Sequence, residues 1–145
     1  MTVCSNLLEM DAPTLLFKRT AQMSNSAKGR CEFLDGKVPV IYLDPGIKYG
    51  PECILIIAHE LRHIYQYCYL PNVSIELFKP SQDEDSSIND YNQQFLEIDA
   101  NAFAEICVEY ILGITPYWGL SQENIKSIKK RKTEVLSTEF GVKSL

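Results

Sequence analysis

The sequence predicts a single α+β domain over residues 1–145, in which a small twisted sheet of about three strands, mostly antiparallel, packs on two long helices. Three observations predict it. The chain has 145 residues, 46% of them hydrophobic and 23% charged, which is enough for one core and ordinary for a globular protein. Its first third breaks into short apolar runs separated by turn signals. Its middle then carries two long stretches whose apolar residues recur with the helical period.

Residues 1–12 are ambiguous and suit a short helix through Leu7, Leu8 and Met10, closed by Pro13. Residues 14–23 read as a strand with Leu15, Phe17 and Ala21 on one face. Two further strands, 30–34 and 37–43, flank Asp35-Gly36, a dipeptide that favours the positive-φ positions of a tight hairpin turn. Pro39 has no N–H to give a ladder, so the strand over 37–43 is expected at an edge.

A helix follows over 51–69. Pro51 suits its first position, Glu52 suits the positive end of its dipole, and Pro71 stops it. At 100° per residue, Cys53, Ile54, Ile57, Leu61, Ile64 and Cys68 share a packed back, while His59, Glu60, His63, Gln66 and Tyr67 share the front. Residues 70–86 are polar and acidic and read as a loop. The second long helix runs over 87–112, with Ser87 as N-cap, Asp90 at the capping-box position, and a stop at Gly113 and Pro116. On its wheel Phe95, Ile98, Ala102, Phe103, Ile106 and Tyr110 form an apolar stripe, and Glu97, Asn101, Glu105 and Glu109 form a polar side. Asp99 falls inside the apolar stripe, where a lone carboxylate is costly unless it is paired or bound to a cation. Tyr117 and Trp118 read as packing after the turn. A terminal helix over 121–135 carries Lys126, Lys129, Lys130, Arg131 and Lys132 as a basic patch opposite Ile125, Ile128 and Val135.

The chemistry is concentrated in the first long helix. His59 and His63 are the only histidines and stand four apart, one turn along one face, where both imidazoles reach a single ion. Glu60 between them is placed to act as general base on a water activated by that ion. H-E-x-x-H can arise by chance in an amphipathic helix. Here the histidine spacing, the polar front face and the stranded Asp99 agree. A hydrolytic zinc site takes three protein ligands, so a third must come from elsewhere. Asp99 is the first choice, because its own helix would otherwise bury it unpaired and Ala100, Ala102 and Ala104 let the helices approach closely. Glu97 is the second choice, since it points off that face and reads more naturally as a solvated residue. Tyr91, two turns before Asp99, is a candidate to assist catalysis.

The net charge of −5 argues against a protein built mainly to hold nucleic acid or anionic membrane. Five cysteines without a C-x-x-C pair suit reduced thiols rather than a disulfide framework. Residues 1–10 lack a signal-peptide pattern, and the longest apolar run is too short to span a bilayer, so a cytoplasmic protein is expected.

Three segments carry a family likeness: Val40 to Pro45 (VIYLDP), Ile57 to Gln66 (IAHELRHIYQ) and Glu97 to Ala104 (EIDANAFA). With them the chain resembles gluzincin-type zinc metallopeptidases, most of all the ImmA/IrrE-like proteins and related small zincins of phages and mobile elements. The resemblance implies a zincin-like domain, with the active-site helix beneath an edge strand and a ligand-bearing helix beside it. It implies Zn2+ as cofactor, and peptide-bond hydrolysis in a specific intracellular protein, such as a repressor-type regulator. The family's third ligand is usually a glutamate just before the Ala-Asn pair, and the matching residue here is the shorter Asp99. The alternative is a catalytically weak or inactive zincin-fold protein that works as a protein-binding module, through its acidic loop or its basic terminal helix.

Overall fold

Strand β3 (Val40–Leu43) is the centre of a three-stranded mixed sheet in the order β1-β3-β2. The computed structural model describes residues 2–19, 23, 27–33, 38–47, 49–70, 95–117 and 119–141. Within these, β1 (Thr14–Phe17) runs parallel to β3 from Thr14 opposite Val40 to Phe17 opposite Leu43. Strand β2 (Gly29–Glu32) runs antiparallel to it, with Cys31 opposite Ile41. Two expectations are corrected here. The sheet is mixed rather than mostly antiparallel, and the strand after Pro39 is central rather than at an edge. The reason is that Pro39 lies one residue ahead of β3. Its missing N–H therefore removes nothing from either ladder, and its carbonyl still accepts from the Thr14 N–H at 3.1 Å. The Asp35-Gly36 turn, residues 34–37, lies outside the described residues.

Helix α2 (Pro51–Tyr69) packs against β2 and β3, and keeps the predicted bounds. It opens at Gly50, whose φ of 144° and ψ of −163° belong to a region reserved for glycine. Its back buries Ile57, Ala58, Leu61 and Ile64 against Ile41 and Leu43 of the sheet and Phe103, Ala104 and Cys107 of the next helix. Each such Leu or Ile removed from water contributes about 1.5–3 kcal/mol, so this seam holds the sheet to the helical layer. Cys68, expected on the packed back, is exposed.

Helix α3 (Phe95–Leu112) lies between α2 and α4 (Gln122–Thr138). Being covered from two sides, it buries nearly every residue from Asp99 to Val108, including the side expected to face solvent. Glu97, Asn101 and Glu105 are all buried, whereas Phe95 and Tyr110 of the expected apolar stripe are exposed. The N-terminal part of the expected helix, with Ser87, Asp90 and Tyr91, falls outside the described residues, as do residues 71–86 of the expected loop. Helix α4 is capped by the Ser121 hydroxyl, which accepts from the Asn124 N–H at 3.3 Å. Its basic patch is partly spent inward: Arg131 pairs with Asp99 and Lys132 with Glu105 and Glu109. Tyr117 is 91% exposed rather than packed, and Trp118 is not among the described residues. A short helix α1 (Thr2–Leu7) adds Cys4, with Leu8 just beyond it, to the core. Among the described residues no helix is long and apolar enough to cross a membrane.

Candidate metal centre

Helix α2 presents His59 and His63 one turn apart, and the first turn of α3 presents Glu97 directly across from them. The two imidazole Nε2 atoms stand 3.0 Å apart. Glu97 bridges them: one carboxylate oxygen is 3.3 Å from His59 Nε2 and the other 3.2 Å from His63 Nε2. The rings meet edge to face, at 89° and 4.6 Å between centroids, so both nitrogens converge on one point. His63 and Glu97 are buried and His59 is half-buried, so the cluster opens on the His59 side.

Burial alone would push the Glu97 carboxyl up. The two imidazoles hydrogen-bonded to it outweigh that and hold it well below the usual carboxylate range. For His63 the balance runs the other way: burial disfavours the cation, and the Glu97 carboxylate outweighs burial and raises the ring above its ordinary value.

The far nitrogen of each ring is also held. His59 Nδ1 lies 2.8 Å from Asn101 Oδ1, and His63 Nδ1 lies 2.9 Å from Gln66 Oε1. Gln66 is fully buried, and its amide nitrogen donates to the Leu96 carbonyl at 3.0 Å and to Asp99 Oδ2 at 2.7 Å. Such outer partners orient the rings of metal-binding histidines and select which nitrogen is bare.

Glu60 sits at the junction of helix and sheet. Its carboxylate accepts the Cys31 N–H of β2 at 2.8 Å. Gly29 makes this approach possible, because a Cβ there would stand 2.3 Å from Ile56 Cγ2 and 3.4 Å from Glu60. Burial, and then the Glu60 carboxylate beside it, push the Cys31 thiol well above its ordinary value, so it is a neutral neighbour of that carboxylate.

Asp99, the first choice for third ligand, is not brought to the imidazoles. It is fully buried and tied to two guanidinium groups: Arg62 donates from Nε at 2.7 Å and from its terminal nitrogen at 3.1 Å, and Arg131 donates from Nε at 2.8 Å. Burial would raise its carboxyl, and the hydrogen bonds and charge of Arg62 outweigh that and lower it. Arg62 in turn receives Glu139, with both oxygens at 2.7 Å from its terminal nitrogens. The requirement that a carboxylate at position 99 be paired or bound to a cation is thus met by Arg62. Glu97 takes the place beside the histidines because it lies one turn before Asn101 on the face of α3 that meets the front of α2. That i, i+4 relation was a signal available in the sequence, hidden by reading the face as solvated. Arg62 left a weaker trace, a cation on the motif helix with no assigned partner.

No protein-family model, curated protein or solved structure matches the chain.

Proposed function

We propose that the chain is a zinc-dependent peptidase acting on a specific protein, with His59, His63 and Glu97 as its metal ligands. The observation that carries this is the convergence of two imidazole nitrogens and one carboxylate on the same point. Bonds of about 2.05 Å at tetrahedral angles put neighbouring ligand atoms roughly 3.3 Å apart. Here the two Nε2 atoms stand 3.0 Å apart, and each lies 3.2–3.3 Å from a different oxygen of the Glu97 carboxylate. Two imidazoles and a carboxylate also match the donor preferences of zinc, and a cation could take the place of the protons these groups share in a largely buried site.

Zinc held by His59, His63 and Glu97 would supply Lewis acidity and an activated water near neutral pH. Glu60 is the base that takes the proton of the attacking water and passes it to the leaving amine. One Cys31 N–H fixes its orientation and leaves the carboxylate further lone pairs for that proton. The resemblance to ImmA/IrrE-like peptidases belongs to this reading, with a regulatory protein as the substrate. A second reading, a catalytically weak protein-binding module on the same scaffold, is favoured by the same hydrogen bond, since it engages the base with the fold.

Elemental analysis after zinc titration, beside a peptidase assay, tests both. About one zinc is expected per chain, lost in His63→Ala and Glu97→Gln and retained in Asp99→Asn. Glu60→Gln is expected to keep zinc and lose hydrolysis. A wild-type chain that takes up no zinc overturns the proposal, and zinc uptake with no hydrolysis of any protein substrate selects the binding module.

A further inference from the structure

Beyond the ligand set, and resting on the metal reading above, we propose that Asp99 is a positioning residue for the centre. Held by Arg62 and Arg131, it anchors the Gln66 amide, and that amide keeps a proton on His63 Nδ1, so that Nε2, beside Glu97 and His59, is the nitrogen left for the ion.

The hydrogen bonds around Asp99, Gln66 and His63 Nδ1 admit one assignment of donors and acceptors. It begins at the guanidinium groups, which donate and never accept. Arg62 and Arg131 both donate to Asp99, and together they keep it an ionised, accepting carboxylate. The next group is the Gln66 side chain, with one amide end near Asp99 Oδ2 at 2.7 Å and the Leu96 carbonyl at 3.0 Å. Both neighbours are acceptors only, so that end must be the NH2 group. Turning the amide over would set its oxygen against a carboxylate and a carbonyl at hydrogen-bonding distance, in a fully buried place. The Gln66 oxygen therefore faces His63 Nδ1 at 2.9 Å. An amide oxygen accepts, so Nδ1 carries the hydrogen. Nε2 is then the nitrogen left to face an ion; in the ion's absence it lies 3.2 Å from the Glu97 carboxylate, an acceptor, and can share a proton with it. Each link is settled by the one before it, back to a charge pair in the core.

This explains why a carboxylate that touches neither imidazole lies fully buried two residues from one that touches both. It also gives Gln66 a task that requires both ends of an amide. His59 has a shorter version of the arrangement, with Nδ1 2.8 Å from the Asn101 amide oxygen.

The test reads the tautomer in the metal-free protein, by long-range 15N correlation spectroscopy of the two histidines at alkaline pH, where the rings are neutral. His63 is expected to keep the Nδ1 proton, protected from solvent exchange, both in the wild type and in Glu97→Ala, where no carboxylate competes for it at Nε2. In Gln66→Met the Nε2–H form is expected to appear, and zinc affinity to fall about 10–100-fold with all three ligands still present. Asp99→Asn, whose amide can offer Gln66 either a donor or an acceptor, is expected to give a mixture of the two forms and a smaller loss of affinity. An Nε2–H tautomer in the wild-type protein overturns the proposal, whether or not any variant folds. So does a tautomer and zinc affinity unchanged in both Gln66→Met and Asp99→Asn. Failure of the wild-type protein to bind zinc is a separate result: it removes the metal reading, while the tautomer still decides whether Asp99 and Gln66 set the ring.

Discussion

Gly29 carries no functional group, yet the position of Glu60 depends on it. Its Cα lies so close to α2 that an added methyl would stand 2.3 Å from Ile56 Cγ2, and Ile56 is β-branched and has little freedom to turn away. Gly29→Ala is therefore expected to push β2 off the helix, lowering stability by about 1–3 kcal/mol in denaturant unfolding. Stability equal to wild type would show that the strand has slack there. At this scale the sequence was a good guide to which side chains share a helix face and a poor one to their partners. His59, Glu60 and His63 were legible because their spacing is local to one helix. The choice between Asp99 and Glu97 was not, because it depends on which face of α3 meets α2 and on the distant Arg62, which claims Asp99 first.

The helices show why a wheel can identify an element and still misplace its faces. Helix α2 has one packed side and one site-bearing side, and its bounds and core residues followed from periodicity. Helix α3 is enclosed by α2 on one side and α4 on the other, so its polar residues are buried with partners rather than solvated, and the wheel reads them wrongly. Arg62 is the clearest case. It is 1% exposed, lies over the rings of Tyr65 and Phe103 at 4.8 and 5.5 Å, and binds carboxylates from both α3 and the end of α4. Removing one partner of such a buried pair costs about 3–5 kcal/mol, because the charge left behind stays buried. Arg62→Met is expected near the lower end of that range in chemical denaturation, since Arg131 still faces Asp99. A loss below about 1 kcal/mol, the range of a surface pair, would show that the network is not held together through Arg62.

For the molecule as a whole, the same network sets the response to acid. Asp99 titrates lower in the folded protein than in the unfolded chain, so unfolding takes up a proton once the pH nears the unfolded value of about 3.9. Its contribution is complete above that value and drains away as pH falls through the lower, folded value. The metal-free protein is expected to show its denaturation midpoint falling steeply below about pH 4, and less steeply in Arg62→Met. A wild-type profile flat to about pH 2 would contradict this. The α+β class and the succession of strands and helices were legible at this scale, because they follow from local patterns. Strand order was not: it depends on where β1 docks, and Pro39 was informative only once β3 was seen to begin after it. Sequence distance adds a kinetic consequence. Arg62 and Glu139 are 77 residues apart, whereas His63 and Glu97 belong to consecutive long helices. As the chain is made, both helices of the candidate centre exist before the residue that completes the neutralisation of the guanidinium behind it. Closure of the Arg62–Glu139 loop is thus also the step that lets the interior accept its charge, and premature arrest short of α4 would leave a nearly assembled site on an interior that cannot close.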